Sequence, residues 1–230
     1  MEVIRIEVLT ISRKSNDLVN QAYNYLLDMI MTKKLMPGER VPEQQVAEDS
    51  GISRSPVRDA MRRLANEGLI NIYPYRFAEI SKCDQTMMRE IGTIRLALDN
   101  IAIKLVLLYG SRSDFISLRQ LAHSCWTAFE EKDHERRIQY DLDFHLMLSE
   151  ISQNALLLEL QKSLSLRVQF LILHHPFAIG VEERHLMQHF ELIDKIEQND
   201  ESEAMEIINN HIISFYGLKD NYPGLFLDHS

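Results

Sequence analysis

The stretch from Gln45 to Ile70, QVAEDSGISRSPVRDAMRRLANEGLI, constrains the fold of this chain more than any other segment. Gly51 predicts a tight turn after a short helix, because glycine readily adopts the left-handed conformation that such turns require. Ser53 predicts the N-cap of a second helix, and Pro56 falls in its first turn, where a missing N–H costs nothing. We therefore expect two short helices joined by a tight turn.

A β-hairpin is predicted immediately after this pair of helices. The segment Leu69–Ile80, LINIYPYRFAEI, has a period of two on both sides of a proline-containing turn. Upstream, Asn16 or Asp17 is expected to cap a first helix, and Pro42 and Glu43 are expected to open the next one. Three helices followed by a hairpin form a winged helix-turn-helix.

The second helix of the pair is rich in arginine. Arg54 and Arg58 are four residues apart and therefore project from the same face. Arginine pairs with the edge of guanine or clamps a phosphate, and Ser55 can bond either. Arg62 and Arg63 lie farther along, where they contact phosphates or pair with acidic residues of their own helix. The alternative is an exposed helix of mixed charge, but the turn, cap and hairpin favour DNA binding.

Charge is distributed unevenly along the chain. The net charge of -9 argues against a nucleic-acid binder. However, residues 1–85 carry 12 Lys+Arg and 12 Asp+Glu, so the whole negative balance belongs to the remainder. This asymmetry predicts two domains with different partners, and it confines DNA binding to the arginines of the first.

From about residue 84 onward the pattern is helical almost throughout. The amphipathic runs cover 84–109, 113–131, 134–151, 154–174, 181–198 and 200–216. They predict a mainly α protein whose second part is an all-α antiparallel bundle of about six to seven helices.

The chain therefore divides into segments. We expect an N-terminal extension at 1–16, whose start is either an edge strand or a frayed tail, and a winged helix-turn-helix at 17–82. A helical effector-binding domain follows at 84–217, and a tail at 218–230.

Acidic and histidine side chains recur at helical spacing in the second part. Asp141 and His145 are four residues apart, so they share one helix face and offer two ligands to a divalent ion. His189 and His211 lie on the last two long helices, which can face that helix in a bundle. A carboxylate and three histidines suit Zn²⁺, Ni²⁺ or Mn²⁺. His185, four residues before His189, forms a rival pair, and the alternative is ordinary core or surface histidines.

Two sequence motifs resemble the winged-helix domain of the GntR family of bacterial transcription regulators. They read LMPGERVPEQQVAE and GISRSPVRDAMRRLANEGLI, and the resemblance covers roughly residues 18–80. It implies that Arg54, Ser55 and Arg58 contact DNA, with Gln44 on the preceding helix as a weaker candidate.

The predicted wing departs from that family. The family's wing usually holds a glycine that inserts into the minor groove, whereas here the tip from Tyr73 to Phe77 reads YPYRF. Arg76 is positioned to enter a narrow minor groove by electrostatic attraction. The bulkier tip therefore leaves more of the expected readout to the recognition helix.

The second part is similar to the FCD effector domain of the FadR-type GntR regulators. The motifs are RLALD, DLDFH followed by SQN, and HFELI leading to HII, within about residues 86–216. The metal ligands that the resemblance implies are Asp141, His145, His189 and His211. His185 falls outside the motif.

A small organic acid is the effector that this resemblance implies. It would bind beside the ion, with Arg95 as the cation that holds its carboxylate and Asn154 as a polar wall residue. The alternative role for Arg95 is a structural salt bridge with Asp99 or Glu90.

The leading interpretation is a one-component transcription regulator, a repressor or an activator, that forms a homodimer on a palindromic double-stranded operator. A second is a regulator for which the ion itself is the effector. A metal-dependent hydrolase is a third, but Asp143 points to another face and cannot act as its general base. We expect no enzyme activity and no membrane partner. Two free cysteines and the lack of a signal peptide or long apolar run predict a cytoplasmic location.

Overall fold

The structure, a computed structural model, describes residues 2–175 and 181–221, with side chains at 17–175 and 182–219. The chain forms two compact units, Met1–Cys83 and Asp84–Ser230.

The first unit is three helices followed by a hairpin. Its elements are α1 (Glu2–Met31), α2 (Glu43–Ser50), α3 (Arg54–Asn66), β1 (Ile70–Tyr73) and β2 (Phe77–Ile80). The strands are antiparallel and pair Ile70 with Ile80 and Tyr73 with Phe77. The predicted winged helix-turn-helix is confirmed.

The turn between α2 and α3 has the glycine conformation that the sequence predicts but lacks the predicted side-chain cap. Gly51 has φ 65°, the left-handed conformation that glycine adopts without strain. Val57, Ala60 and Leu64 are buried on one face of α3, which leaves its arginines on the other. Ser53 occupies the N-cap position, but its side chain makes no capping hydrogen bond, so the expected cap contact is absent.

The start of the first helix differs from the prediction. Helix α1 begins at Glu2 and continues to Met31, so neither an edge strand nor a start at Asn16 or Asp17 is correct. Each of those two residues costs a helix interior no more than about 0.7 kcal/mol, and residues 2–16 contain no proline or glycine that would end the helix. The predicted extension at 1–16 therefore continues into α1.

The second unit is helical throughout the part that the structure describes. Its helices are α4 (Gln85–Tyr109), α5 (Arg112–Glu130), α6 (His134–Ile151), α7 (Ala155–His174), α8 (Val181–Glu197), α9 (Glu201–Phe215) and α10 (Leu218–Asn221). Helices α4 to α9 follow the predicted amphipathic runs closely, so the predicted helical bundle is confirmed. Helix α10 lies in the predicted tail, and 222–230 lie outside the described residues.

Helix α4 is central to this bundle because it packs against α6, α7 and α9. Its buried face carries apolar residues such as Leu98, Ala102 and Val106, but also Arg95 and Asp99. Charged groups are almost never fully buried without partners. The bundle must therefore supply partners for both charges, and these partners lie next to the candidate site.

Candidate metal centre and nucleic-acid interface

The predicted DNA-contacting side chains of α2 and α3 meet on an exposed surface. Arg54 Nη2 donates to Gln44 Oε1 at 2.8 Å. Arg58 Nε donates to Glu43 Oε1 at 2.9 Å, and Ser55 is exposed beside them. The two helices thus bring Gln44 to Arg54, two residues that the sequence motif only suggested separately.

The next two arginines of α3 have different surroundings. Arg62 is exposed and pairs with Asp59 within its own helix at 2.5 Å. Arg63 lies 3.8 Å above the ring of Tyr23 and reaches Glu67 at 3.3 Å. Arg63 therefore ties α3 to α1, whereas Arg62 remains a phosphate-contact candidate.

The tip of the hairpin is built around an exposed tyrosine. Tyr75 is fully exposed and has φ 59°, at a turn position where a positive φ usually selects glycine. Arg76 is exposed next to it, with its guanidinium 5.6 Å from the ring centre of Phe77. Arg40 lies 4.3 Å above the same ring, so a second cation stands at this wing.

Four buried side chains converge inside the helical unit. Asp141 comes from α6, His185 and His189 come from α8, and His211 comes from α9. One ligand atom from each lies within 4.8 Å of the others. His185 Nε2 is 3.3 Å and His189 Nε2 is 3.5 Å from the same oxygen, Asp141 Oδ1.

His145 lies at the edge of this group. Its Nε2 is 3.2 Å from His211 Nε2, and its Nδ1 is 2.9 Å from Asp99 Oδ2. A carboxylate on one ring nitrogen commonly orients the other nitrogen of a histidine toward a metal. The arrangement thus fits the predicted role of His145 as a ligand, with Asp99 as the residue that orients it.

Arg95 is held inside the protein by several groups. It donates from Nη1 to Tyr216 Oη at 2.9 Å and lies 3.5 Å from Asp141 Oδ2. Its Nε is 3.7 Å from Asp99 Oδ2, and Gln161 donates to the other oxygen of that carboxylate at 2.8 Å. The structural salt bridge with Asp99 is therefore present, and the guanidinium also borders the cluster.

The protonation of the cluster suits a cation. Burial lowers the pKa of His185, His189 and His211, so all three favour the neutral form that binds metals. Burial by itself raises the pKa of Asp141, but the nearby His185 and Arg95 outweigh it, and the pKa lies well below its usual value. The site is one carboxylate surrounded by neutral imidazoles.

Two further observations test whether an ion fits here. Arg95 is shared between the two buried carboxylates Asp99 and Asp141, while Arg137, the next buried arginine, pairs with Glu182 at 3.3 Å. Both ring nitrogens of His189 lack a hydrogen-bond partner among the described residues. Unpaired buried polar groups cost about 1–3 kcal/mol each, and a divalent ion would satisfy the nitrogens and add positive charge beside the carboxylates.

The predicted effector-binding residues are not brought together. The cavity that Arg95 lines has a volume of about 10 Å³, roughly the room that one water needs. Asn154 does not line it. Its side chain is the N-cap of α7 and accepts the Leu157 N–H at 3.1 Å.

The sequence pattern does not predict every residue that lies at the candidate metal site. His185 is an alternative to the four predicted metal ligands, and its spacing of four residues from His189 is the sequence feature that indicates it. Asp99 was considered only as a partner of Arg95. Gln161 and Tyr216 belong to no spacing pattern. Gln161 lies on α7 and Tyr216 directly after α9, both far in sequence from Arg95 and Asp99, which they contact.

A winged helix-turn-helix with an exposed arginine surface, together with a helical unit that buries an Asp/His cluster, defines a two-part class of DNA-binding regulator. The family model for bacterial regulatory proteins, gntR family, matches residues 18–76. The FCD domain model matches residues 90–214, more than half of the 230 residues. The chain therefore belongs to the GntR family of transcription regulators and carries an FCD domain.

Curated relatives resemble the chain over most of its length. The HTH-type transcriptional repressor RspR of Escherichia coli (strain K12) is 26% identical over 195 residues, which cover 84% of each chain. YdhC of Bacillus subtilis (strain 168), an uncharacterized HTH-type transcriptional regulator, is 27% identical over 192 residues, which cover 83% of this chain and 86% of the relative.

Solved structures share the fold. E. coli McbR/YncC has a TM-score of 0.69 at 22% identity and covers 89% of this chain and 98% of its own. A GntR protein from Rhodococcus sp. RHA1 has a TM-score of 0.72 at 17% identity, covering 86% and 95% respectively. Within the part of the chain that the structure describes, no helix has the length and apolar character needed to cross a bilayer.

Proposed function

We propose that this transcription regulator binds its operator with an affinity that a divalent ion at the Asp/His cluster controls. The observation that carries the proposal is the convergence of Asp141, His189 and His211 from three different helices, where both ring nitrogens of the buried His189 have no hydrogen-bond partner among the described residues. An ion bound there would tie α6, α8 and α9 together. Its binding can therefore change the helical unit as a whole.

An organic acid beside the ion is the second candidate effector. Arg95 supports it, because its guanidinium borders the cluster and guanidinium groups bind carboxylates well. However, Arg95 is 1% exposed, and the neighbouring cavity of about 10 Å³ is too small for an acid. The acid therefore requires the cavity to open, whereas the ion does not. The ion is therefore the better supported of the two candidate effectors.

Arg54, Ser55 and Arg58 are the proposed base and phosphate contacts, with Gln44, Arg62 and Arg76 as supporting contacts. All six side chains are exposed. We propose that a homodimer places two such surfaces on a palindromic operator in the cytoplasm.

A hydrolytic role has less support than gene regulation. A metal-dependent hydrolase needs a general base near the ion. Asp143 is the acidic neighbour of Asp141 along α6, but its carboxylate accepts from Gln139 at 2.9 Å on another face of the helix. The hydrolase also leaves the winged helix-turn-helix without a role.

The test is an operator titration with and without the ion. A duplex is first selected from random DNA by the purified full-length chain. Its Kd is then measured by fluorescence anisotropy with chelator-treated protein and with protein loaded with Zn²⁺, Ni²⁺ or Mn²⁺. We expect at least one ion to change Kd by about tenfold, a typical size for coupling between two sites. His211→Ala should abolish that change and lower the metal content in elemental analysis.

His134→Ala is the matched control, because His134 is exposed at the start of α6. It should respond to the ion as the unmodified chain does. Equal Kd values in all ion states would contradict ion control. A change that appears only when a weakly chelating monocarboxylate such as acetate is added to the loaded protein, with the metal content unchanged, would instead support the organic-acid effector.

A further inference from the structure

We infer that His185 coordinates the same ion as the four predicted ligands and acts as a fifth protein ligand. The inference rests on the ion site of the proposed function, but it concerns a residue that the FCD motif leaves out. It determines how many positions on the ion remain open to an effector.

The position of His185 meets the distance requirement for a ligand. Its Nε2 is 3.3 Å from Asp141 Oδ1, and it belongs to the group whose ligand atoms lie within 4.8 Å of one another. Two donors bound to one ion at about 2.0–2.2 Å are separated by about 3–4.4 Å. The ligand atoms are therefore close to these separations, although the rings of His185 and His211, 3.6 Å apart between centroids, must turn apart to bind one ion.

The helices explain why His185 reaches the same point as His189. The two residues are one turn apart on α8, so both point toward the same neighbours. Asp141 and His145 repeat this spacing on α6. Asp141, the His185 and His189 pair and His211 from α9 thus converge on one point, and His145 joins them through its contact with His211.

Packing against Phe215, 4.4 Å between ring centroids, accounts for the ring of His185 but not for its nitrogens. His185 is 4% exposed, its ring stacks on His211 at 3.6 Å between centroids, and its Nδ1 has no hydrogen-bond partner in the described part of the chain. Its closest polar contact is an oxygen of Asp141, itself a candidate ligand. A buried imidazole whose polar contact is another ligand is well placed to bind the ion too.

His185 adds to His145 and does not replace it. His145 Nε2 lies 3.2 Å from His211 Nε2, a separation that suits adjacent ligands of one ion. Asp99, 2.9 Å from the opposite ring nitrogen, keeps His145 in that orientation. Both histidines can therefore contribute, which gives four imidazoles and one carboxylate.

Five protein donors limit which ion can bind and how many further ligands that ion can take. Structural zinc sites usually have four ligands, and Mn²⁺ favours oxygen, whereas Ni²⁺ binds imidazole well. The donor set therefore favours Ni²⁺ among the three predicted ions. A six-coordinate ion would keep one open position, so an organic acid could bind it through a single oxygen only.

The test compares His185→Gln with His145→Gln and with the control His134→Gln, all as full-length chains. Ni²⁺ affinity is measured by competition with a chelator, and the imidazoles around Ni²⁺ are counted by X-ray absorption. We expect His185→Gln and His145→Gln each to weaken binding by more than about tenfold, the smallest loss usual even for a residue that only supports a ligand. Each should also remove one imidazole, and the control should remove none.

The results separate this inference from the proposed function. Unchanged Ni²⁺ affinity and imidazole number in His185→Gln would overturn the fifth ligand, even if the unmodified chain still shows ion-dependent operator binding. Failure of the unmodified chain to bind Ni²⁺, Zn²⁺ or Mn²⁺ would overturn both. If circular dichroism shows that His185→Gln does not fold, the count in the unmodified chain decides: four imidazoles support the inference, and three or fewer overturn it.

Discussion

Arg58 and Glu43 form an ion pair on the surface that carries the proposed DNA contacts. The atoms are 2.9 Å apart, and the side chains are 56% and 27% exposed. Exposed pairs of this kind contribute only about 0–1 kcal/mol. Arg58 can therefore exchange Glu43 for a phosphate or a guanine edge at little cost, and Glu43 competes with DNA for it.

This competition predicts opposite effects for the two partners. Arg58→Ala should weaken operator binding by about 1–3 kcal/mol, which is about 5- to 150-fold in Kd, because a base or phosphate contact is lost. Glu43→Gln should strengthen binding severalfold, since it frees Arg58 and removes a negative charge near the phosphates. Both values are measured by anisotropy at a fixed salt concentration.

Arg112→Ala is the control for the change in net charge, because Arg112 is exposed on α5 in the other unit. It should leave Kd unchanged. If Arg58→Ala also leaves Kd unchanged, the assignment of α3 as the recognition helix is wrong. If Glu43→Gln weakens binding, Glu43 orients Arg58 and does not compete with DNA.

Arg95 shows how a buried charge is accommodated at the candidate site. Although burial disfavours its charged form, Tyr216 and the neighbouring carboxylates raise the pKa of Arg95 above its ordinary value. The guanidinium therefore stays charged and already has partners on several sides. Any effector that binds Arg95 must first displace one of them.

At the scale of the helix, Gly92 determines how closely α10 and the end of α9 approach α4. A Cβ at this position would lie 2.6 Å from Tyr216 Cβ and 3.0 Å from Leu218 Cδ2. Tyr216 follows α9 directly and needs this approach to place its hydroxyl 2.9 Å from Arg95 Nη1. Glycine thus serves packing here, although it costs helix stability.

Gly92→Ala is therefore expected to destabilise the protein. Helix propensity alone predicts a gain of about 1 kcal/mol. Overpacking typically costs about 1–3 kcal/mol, and the overlap involves Tyr216 Cβ, which cannot move without its backbone. We expect the overlap to outweigh propensity, so the free energy of unfolding in urea should fall.

Gly92→Ala combined with Tyr216→Gly is the matching control, compared with Tyr216→Gly alone. Removal of both Cβ and the ring at position 216 should relieve much of the overlap, so the alanine at position 92 should cost less in that background. A Gly92→Ala protein more stable than the unmodified chain would show that Tyr216 packs elsewhere.

At the scale of the whole molecule, exposed apolar side chains are grouped along α4 and also occur on α7, which packs against it. Ile94, Ile101 and Leu108 follow a spacing of seven on α4 and are 56%, 49% and 68% exposed. Leu156 and Leu160 on α7 are 64% and 47% exposed. Apolar residues grouped in this way commonly mark protein interfaces. We propose the α4 side chains as the contact between the two copies of the proposed homodimer.

A charge in this surface should separate the dimer. Ile101→Glu would place a carboxylate in the contact, where burial without a partner is strongly unfavourable. Light scattering after gel filtration should show the variant as a monomer with a mass near 26.9 kDa. Its affinity for a palindromic operator should fall, because each copy then binds one half-site.

Ile116→Glu is the matched control, since Ile116 on α5 has a similar exposure of 51%. It should remain dimeric. A dimeric Ile101→Glu protein would place the interface on another surface, and a monomeric unmodified chain would contradict the homodimer itself.

The sequence by itself determined the helices, the hairpin and the two-part organisation. Helical periodicity, Gly51 and the proline-containing turn are local signals, and each acts on residues that are close in sequence. The pair Asp141 and His145 could be predicted for the same reason, because the helix brings residues four apart together. Local start signals were less reliable at α1, where Asn16 and Asp17 were expected to cap the start of the helix but lie inside it.

Only the tertiary structure decided which side chains share the site. Sequence spacing linked His185 to His189, but packing of α6, α8 and α9 placed both at Asp141. Packing likewise brought Asp99 to His145, whereas Asn154 caps its own helix and stays apart. These contacts depend on how helices distant in sequence pack against one another, and a local sequence pattern does not predict that packing.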